Sequence, residues 1–186
     1  MSSSGRMRHV LGLVAQQSAG LAWHFCCDTA PVSKVEISCF DDGASAATNS
    51  IHDLDLAKLI LVVGANPTES HPVLGARIKR AVRNGVTLIV IDPRRTELAR
   101  LADLHLQLHP GTNVALLNGM GHVIAKEHLT DAVFVRDRTE GFDDWLALVK
   151  GCTPEVTSNA TGVPVPLITE AARRYARSGG SMAVHG

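Results

Sequence analysis

The chain has 186 residues, of which 45% are hydrophobic, 19% charged and 4% aromatic, a composition that suits one globular domain with its own core and excludes a disordered polymer. Lysine plus arginine and aspartate plus glutamate balance at 18 each, so no net charge draws the chain to nucleic acid or to an anionic membrane. No stretch approaches the ~20 continuous apolar residues of a membrane span.

The N-terminal segment, residues 1–42, has no sustained hydrophobic period. Within it, Val10–Ala15 could open a short helix and Lys34–Ser38 a short strand. Two arginines before the first of these runs resemble the start of a signal peptide, but two glutamines follow the run and no small-residue cleavage site comes after it. We therefore predict a cytoplasmic protein.

The four cysteines form neither a CxxC metal motif nor a disulfide framework. They are Cys26, Cys27, Cys39 and Cys152. Their spacing favours reduced, structural thiols, so any metal must be held mainly by other groups.

From Ile51 onward the pattern alternates between apolar runs typical of buried strands and segments with helical spacing. Such an alternation predicts an α/β layered domain with a mainly parallel sheet. The pattern starts abruptly after residue 42 and stops as a fourth strand begins, so we expect a domain truncated at both ends. The predicted strands are Lys58–Gly64, Val86–Ile91, Leu104–Leu108 and Ser181–His185. The predicted helices are one that Ser70-His71-Pro72 opens and Asn84-Gly85 closes, Thr96–Leu101, a long helix after Thr112, Asp131–Val135, Phe142–Lys150 and Pro164–Arg177.

Two of these helices carry more detailed predictions. Pro72 is tolerated in the first turn of its helix, and Asn84-Gly85 ends that helix with a residue suited to positive φ. The apolar side of this helix is expected to contain Val73, Ala76, Ile78 and Ala81. The side chain of Thr112 can cap the N-terminus of the long helix.

Nine histidines invite a metal hypothesis. His105 and His109 are four residues apart, but no third ligand keeps a regular spacing with them, so the pattern favours no metal site there. Gly119 and Gly121 lie just before His122 in the long helix. They indicate close packing of this helix on the sheet rather than a phosphate loop.

Three loops follow three successive predicted strands: Gly64–Ser70, Asp92–Arg95 and His109–Asn113. Ligands of open parallel sheets bind beyond the carboxyl ends of the strands, so these loops are the candidate site. Turn chemistry explains each loop taken alone. Their occurrence at three successive strand ends favours a dinucleotide site.

The residue types in these loops indicate how a dinucleotide could bind. Gly64 allows close approach of a ligand, and the helix N-terminus behind it suits a phosphate. Asp92 stands where a carboxylate commonly accepts hydrogen bonds from a ribose or a base, and Arg94 offers a fork of donors to a phosphate. Asn113 provides an amide for a purine edge. The absence of GxGxxG argues against an ordinary nicotinamide site.

Longer motifs resemble one family. They are Ala47–Ile51, Gly64–Pro72, Ile91–Arg94, Ala102–Leu106, Arg138–Phe142, Cys152–Glu155, Thr161–Val163 and Ala171–Arg173. Over about residues 43–186 the chain is similar to the catalytic subunits of formate dehydrogenases, within the bis-molybdopterin-guanine-dinucleotide oxidoreductases.

This resemblance implies a Rossmann-like, three-layer domain that binds one arm of a bis-molybdopterin guanine dinucleotide (bis-MGD) cofactor carrying Mo or W. It further implies two-electron oxidation of formate to CO2 by the whole enzyme, other electron-transfer subunits as partners, and a 4Fe-4S cluster in another part of the subunit. The implied cofactor contacts are Gly64, Asn66, Glu69, Ser70, Asp92, Pro93, Arg94, Gly111 and Asn113.

No catalytic residue or metal ligand is assigned to this chain. The family has a Cys-His or selenocysteine-His pair upstream of the stretch corresponding to Thr48–Ser50, whereas here Cys26 and Cys27 are followed by Asp28. We therefore expect residues 1–42 to be a frameshifted or misassembled start, and the chain by itself to be inactive. Two alternatives are a non-catalytic relative, of the type of the large iron–sulfur subunit of complex I, and a stand-alone nucleotide-binding or interaction module.

Overall fold

The computed structural model describes residues 14–16, 22–24, 51–139 and 141–185. Near the N-terminus, β1 (Val14–Gln16) pairs antiparallel with β2 (Ala22–His24). The predicted helix at residues 10–15 is therefore wrong for Val14 and Ala15; a helix this short does not recover its nucleation cost, whereas paired strands satisfy each other's backbone groups. Residues 10–13 and the predicted strand at 34–38 lie outside the described residues.

From residue 51 the chain alternates strands with helices, as predicted. A 3-10 helix (Ile51–Asp55) is followed by β3 (Leu59–Val63), α1 (Pro67–Ser70), α2 (Pro72–Arg83), β4 (Thr87–Ile91), α3 (Glu97–Leu101), β5 (Leu104–Leu106), α4 (Asn113–Lys126), α5 (Ala132–Arg138), α6 (Phe142–Val149), α7 (Pro154–Thr161), α8 (Val165–Arg177) and β6 (Ser181–His185). Among the described helices, none has the length and apolar character needed to cross a bilayer.

Strands β3 to β6 form one parallel sheet in the order β5-β4-β3-β6. The first three strands are added in one direction, and β6 then pairs with the other side of β3. Val63 is level with both Ile91 and His185, and Ile91 is level with Leu106, so all four strands end at one edge. The reversal of strand order places a topological switch point between β3 and β6, as in Rossmann-like sheets.

Both faces of the sheet are covered by helices. On one face, Ile60 and Val62 of β3 pack with the 3-10 helix, α2 and α3. On the other face, Leu59, Leu61 and Val63 pack with α4, α6 and α8. The continuous apolar strands of the sequence are thus explained by burial on both sides, and the predicted α/β, three-layer class with a parallel sheet is confirmed.

The inward face of α2 differs from the prediction. Val73 is 67% exposed and Ala76 is also exposed, while Gly75 and Ile78 are buried. The cause is α1, which packs on the first turn of α2: a Cβ on Gly75 would lie 2.9 Å from the Cα of Thr68. This tertiary contact turns the helix so that its glycine faces inward.

Helix α7 was not predicted, and it explains one of the two glycines in α4. A Cβ on Gly119 would lie 2.6 Å from Cγ2 of Thr157 in α7, and Thr157 is buried. Gly119 therefore permits close packing of α4 on another helix rather than on the sheet, which corrects the expectation from sequence.

Helices α4 and α8 are also joined by a surface ion pair. Arg173 Nε donates to both carboxylate oxygens of Glu127 at 3.0 Å, and Arg173 Nη2 donates to Oε1 at 2.8 Å. These hydrogen bonds lower the pKa of Glu127, and the charges of Arg173, Arg177 and Lys126 lower it further.

We expect Arg173→Gln to raise the pKa of Glu127 toward its ordinary value. Because the pKa of Glu127 is lowered in the folded chain, the pair's contribution to stability is present above the unfolded pKa and is lost as pH falls through the folded one. Both side chains are partly exposed, so the effect on stability should be small. Carboxyl NMR titration of Glu127 measures the shift; an unchanged titration curve would contradict this interpretation, and Arg136→Gln, in a separate exposed pair, is the control.

Candidate functional site

The three predicted loops converge on the carboxyl edge of the sheet because their strands end at the same level. The structure adds a fourth strand end, His185 of β6, level with Val63. The sequence indicated the strand Ser181–His185 but not its neighbour, so His185 was not singled out. Its only signal was its position at the end of an apolar run.

Gly64 and Asn113 lie side by side at this edge. Gly64 has a φ of +58°, its N–H donates to the carbonyl of Ile91 at 2.8 Å, and a Cβ at this position would lie 3.6 Å from Nδ2 of Asn113. Asn113 is the first residue of α4, which has 14 residues. The N–H groups of its first turn have no intrahelical acceptors and carry a partial positive charge. The long helix beside Gly64 is thus α4, whereas the helix directly behind its own loop, α1, has only 4 residues.

The first loop is organised around Asn66. Its carbonyl accepts hydrogen bonds from the backbone N–H groups of Glu69 (3.0 Å) and Ser70 (3.1 Å) and from Ser70 Oγ (3.1 Å). Its side-chain oxygen accepts from the hydroxyl of Thr68 at 2.6 Å. Asn66 therefore shapes the loop, while Glu69 and Ser70 are exposed at its surface.

In the second loop, Asp92 and Arg94 bind each other. Asp92 is 1% exposed; its Oδ1 accepts from the backbone N–H of Arg94 (2.7 Å) and from Nε (3.2 Å), and its Oδ2 accepts from Nη2 (3.3 Å). The hydrogen bonds to Asp92 and its charge raise the pKa of Arg94, and the charge of Glu69 adds to this. The Arg94 side chain is 63% exposed. Asp92 thus orients Arg94, and the guanidinium is the exposed group of the pair.

Two side chains on the neighbouring segment support this loop: His105 lies in β5 and Gln107 directly follows that strand. Nε2 of His105 lies 2.9 Å from the carbonyl oxygen of Asp92 and donates to it in the tautomer that carries the Nε2 proton. Nε2 of Gln107 donates to the carbonyl of Pro93 at 2.9 Å. Both roles were missed from sequence, although the predicted strand Leu104–Leu108 already placed these two residues, two positions apart, on one face. Among the described residues, no group of three or more His, Cys, Asp or Glu side chains could hold a metal ion.

The third loop is tied to the end of α7. The N–H of His109 donates to the carbonyl of Thr161 at 2.8 Å, and the carbonyl of His109 accepts from the hydroxyl of Thr112 at 2.7 Å. Thr112 therefore does not cap α4 with its side chain, contrary to the prediction, because its hydroxyl closes the turn instead. Gly111 is exposed with open space around it.

Comparison with known proteins agrees with this architecture. A family model described as molybdopterin oxidoreductase matches residues 26–183, so the chain belongs to the molybdopterin oxidoreductase family. The matched residues include 26–42, which are part of the N-terminal segment 1–42 that the sequence pattern sets apart from the domain.

The similar curated proteins include formate dehydrogenases. The chain is 47% identical over 136 residues to formate dehydrogenase H of Escherichia coli (strain K12), covering 73% of this chain and 19% of that protein. It is 49% identical over 138 residues to the F420-dependent formate dehydrogenase subunit alpha of Methanocaldococcus jannaschii, covering 74% and 20%. The chain therefore spans about a fifth of the length of these relatives.

Among solved structures, the chain resembles acetylene hydratase from Pelobacter acetylenicus with a TM-score of 0.64 and 29% sequence identity. The similarity covers 72% of this chain and 20% of that chain.

Proposed function

We propose that residues 43–186 bind one guanosine-diphosphate arm of a bis-MGD cofactor, carrying Mo or W, within the catalytic subunit of a formate dehydrogenase. Membership of the molybdopterin oxidoreductase family supports a molybdenum or tungsten pterin cofactor. The observation that carries the proposal is the convergence of Gly64, the Asp92–Arg94 pair and Asn113 at one edge of a parallel sheet.

The chemistry of this edge fits a guanosine diphosphate. The exposed guanidinium of Arg94, held by Asp92, and the N-terminus of α4 suit the negative charge of the diphosphate. The carboxylate of Glu69 can accept hydrogen bonds from the base or the ribose, and the amide of Asn113 can both donate and accept them. Gly64 leaves room for close approach. The complete proposed contact set is Gly64, Asn66, Glu69, Ser70, Asp92, Pro93, Arg94, Gly111 and Asn113.

The assignment of formate as substrate rests on identity with formate dehydrogenases at 47% and 49%. The fold alone does not identify the reaction, since a structural relative at 29% sequence identity is named acetylene hydratase. When bound, the cofactor supplies the metal centre at which formate loses two electrons and a proton to give CO2. In this proposal the residues of this chain bind and orient one arm of the cofactor. The proposal also includes a 4Fe-4S cluster in another part of the subunit, further electron-transfer subunits as partners, and a cytoplasmic location.

The proposal is tested in two ways. The chain purified from a host that makes the cofactor should release GMP on acid hydrolysis. Absence of GMP would favour the two alternatives, a non-catalytic relative that has lost the cofactor or a stand-alone nucleotide-binding or interaction module. A chimera in which the 136-residue match replaces the corresponding part of formate dehydrogenase H should retain formate-dependent dye reduction. A chimera that holds GMP and metal but does not oxidise formate would reject the substrate assignment while leaving the cofactor site intact.

Gly64→Ala should weaken binding of GDP to the chain, because the added methyl group occupies the space needed by the ligand. Gly85→Ala is the matched control: Gly85 also has a positive φ, +93°, and lies at the end of α2 with no atom within 4 Å of a Cβ. Each substitution should cost about 1–2 kcal/mol of stability through backbone strain. Calorimetric titration with GDP should separate them, and equal affinities for GDP in the two variants would contradict the placement of the ligand at Gly64.

A further inference from the structure

A cavity lies at the amino-terminal edge of the sheet, opposite the edge that carries the three loops. It has a volume of about 440 Å³ and opens between the starts of β3 and β4 and the last turns of α8. We call it the basal cleft; its polar lining includes Lys58, Thr87, Glu170, Arg173, Arg174 and Arg177. We propose that the basal cleft binds a small anion that carries phosphate groups. This proposal is independent of the cofactor-binding edge.

The charges of the basal cleft are not balanced within it. Arg173 pairs with Glu127 and Arg174 pairs with Glu170, at 2.8 Å and 2.7 Å. In the described part of the chain, neither Lys58 nor Arg177 has an ion-pair partner within 4.0 Å. The four cations of the cleft thus have two carboxylate partners, of which Glu170 lines the cleft and Glu127 does not. The two glutamates also hold the guanidinium groups in place, and N–H donors remain on each arginine for a ligand.

Lys58 is fixed in position by the backbone that follows α8. The carbonyl of Gly180 accepts hydrogen bonds from the N–H groups of both Lys58 (2.9 Å) and Leu59 (3.2 Å). The ammonium group lies over the same turn, since a Cβ on Gly179 would be 3.6 Å from Nζ of Lys58. The turn therefore places the lysine against the end of α8, where Arg174 and Arg177 lie.

The partial negative charge at the C-terminus of α8 does not require four cations for its neutralisation. The C-terminus of a helix carries the equivalent of about half a negative charge, which one cation offsets. The remaining positive charge lines a concave cleft whose volume lies in the range of small-molecule sites, roughly 300–1,000 Å³. Guanidinium forks and a lysine suit phosphate oxygens in particular.

The test uses inorganic pyrophosphate and inorganic phosphate as probes for the 186-residue chain at low ionic strength. The double variant Lys58→Gln/Arg177→Gln should bind pyrophosphate at least about tenfold more weakly than the unaltered chain. The control Arg80→Gln/Arg83→Gln removes the same charge from exposed residues of α2 and should change the affinity by less than about twofold. Lys58→Arg/Arg177→Lys keeps both charges and should retain binding.

Amide NMR shifts locate the bound probe. Perturbation of Gly179 and Gly180 supports the basal cleft, whereas perturbation confined to Gly64 and Gly111 places the anion at the other edge and overturns the proposal. The proposal is also overturned if neither pyrophosphate nor phosphate binds detectably to the unaltered chain. Equal weakening of pyrophosphate binding in the two charge-removing double variants overturns it as well. Circular dichroism establishes whether each variant is folded. If Lys58→Gln/Arg177→Gln does not fold, the affinity of the charge-retaining variant for pyrophosphate decides the test.

Discussion

Gly119→Val is expected to destabilise the chain by about 3 kcal/mol, because overpacking of a close helix contact cannot be relieved without moving a helix. A Cβ on Gly119 would lie 2.6 Å from Cγ2 and 2.8 Å from Cβ of Thr157, which is buried between α4 and α7. Denaturant unfolding followed by circular dichroism measures the loss.

The control for this substitution is Ala76→Val, at an exposed position of α2, which carries only the lower helix propensity of valine, about 0.5 kcal/mol. Adding Thr157→Ala to Gly119→Val should recover part of the loss, since the two side chains compete for one space. If Gly119→Val were as mild as the control, the close contact between α4 and α7 would be refuted.

The same substitution should also affect the proposed cofactor site. The last residue of α7, Thr161, accepts the hydrogen bond from His109 at the start of the third loop. Displacement of α7 by a larger side chain at position 119 is therefore expected to move this loop and weaken GDP binding.

Arg94→Gln is expected to weaken GDP binding by at least about tenfold, because it removes the charged donor that we propose for the diphosphate. Its partner Asp92 is buried and would lose two of the three hydrogen bonds that it receives from Arg94, so the melting temperature should also fall. Titration calorimetry and thermal unfolding measure the two effects.

Arg95→Gln provides the matched control. Arg95 is the next residue, is also exposed, and has no hydrogen bond to Asp92. It changes the net charge equally and should leave GDP affinity within about twofold of the unaltered chain, since exposed charges are screened. Equal losses in the two variants would assign the effect to general electrostatics and remove Arg94 from the proposed contact set.

Much of the strand and helix pattern could be predicted from the sequence because it depends on local chemistry. The runs at Lys58–Gly64 and Val86–Ile91 are apolar throughout, which only burial on both faces explains, and β3 and β4 confirm them. Gly85 ends α2 with a positive φ as expected. The three strand-end loops were located for the same reason: a parallel sheet brings the ends of its strands to one edge.

The packing partners of these elements were decided by the tertiary structure. The outward position of Val73 results from the contact of α1 with Gly75, and the role of Gly119 depends on α7, which was not predicted. The hydrogen bond of Thr112 to His109, in place of a cap on α4, depends likewise on how the third loop closes.

The sequence by itself determined the class of fold, the positions of the three loops and the resemblance to formate dehydrogenases. The tertiary structure alone decided that β6 lies beside β3, that His105 of β5 contacts the carbonyl of Asp92, and that the basic residues near Lys58 and Arg177 share a cleft. The physical reason is the separation along the chain of the residues that interact. Strand burial and turn formation are recorded within a few neighbouring residues, whereas strand order and the meeting of distant side chains depend on packing between segments far apart in the chain.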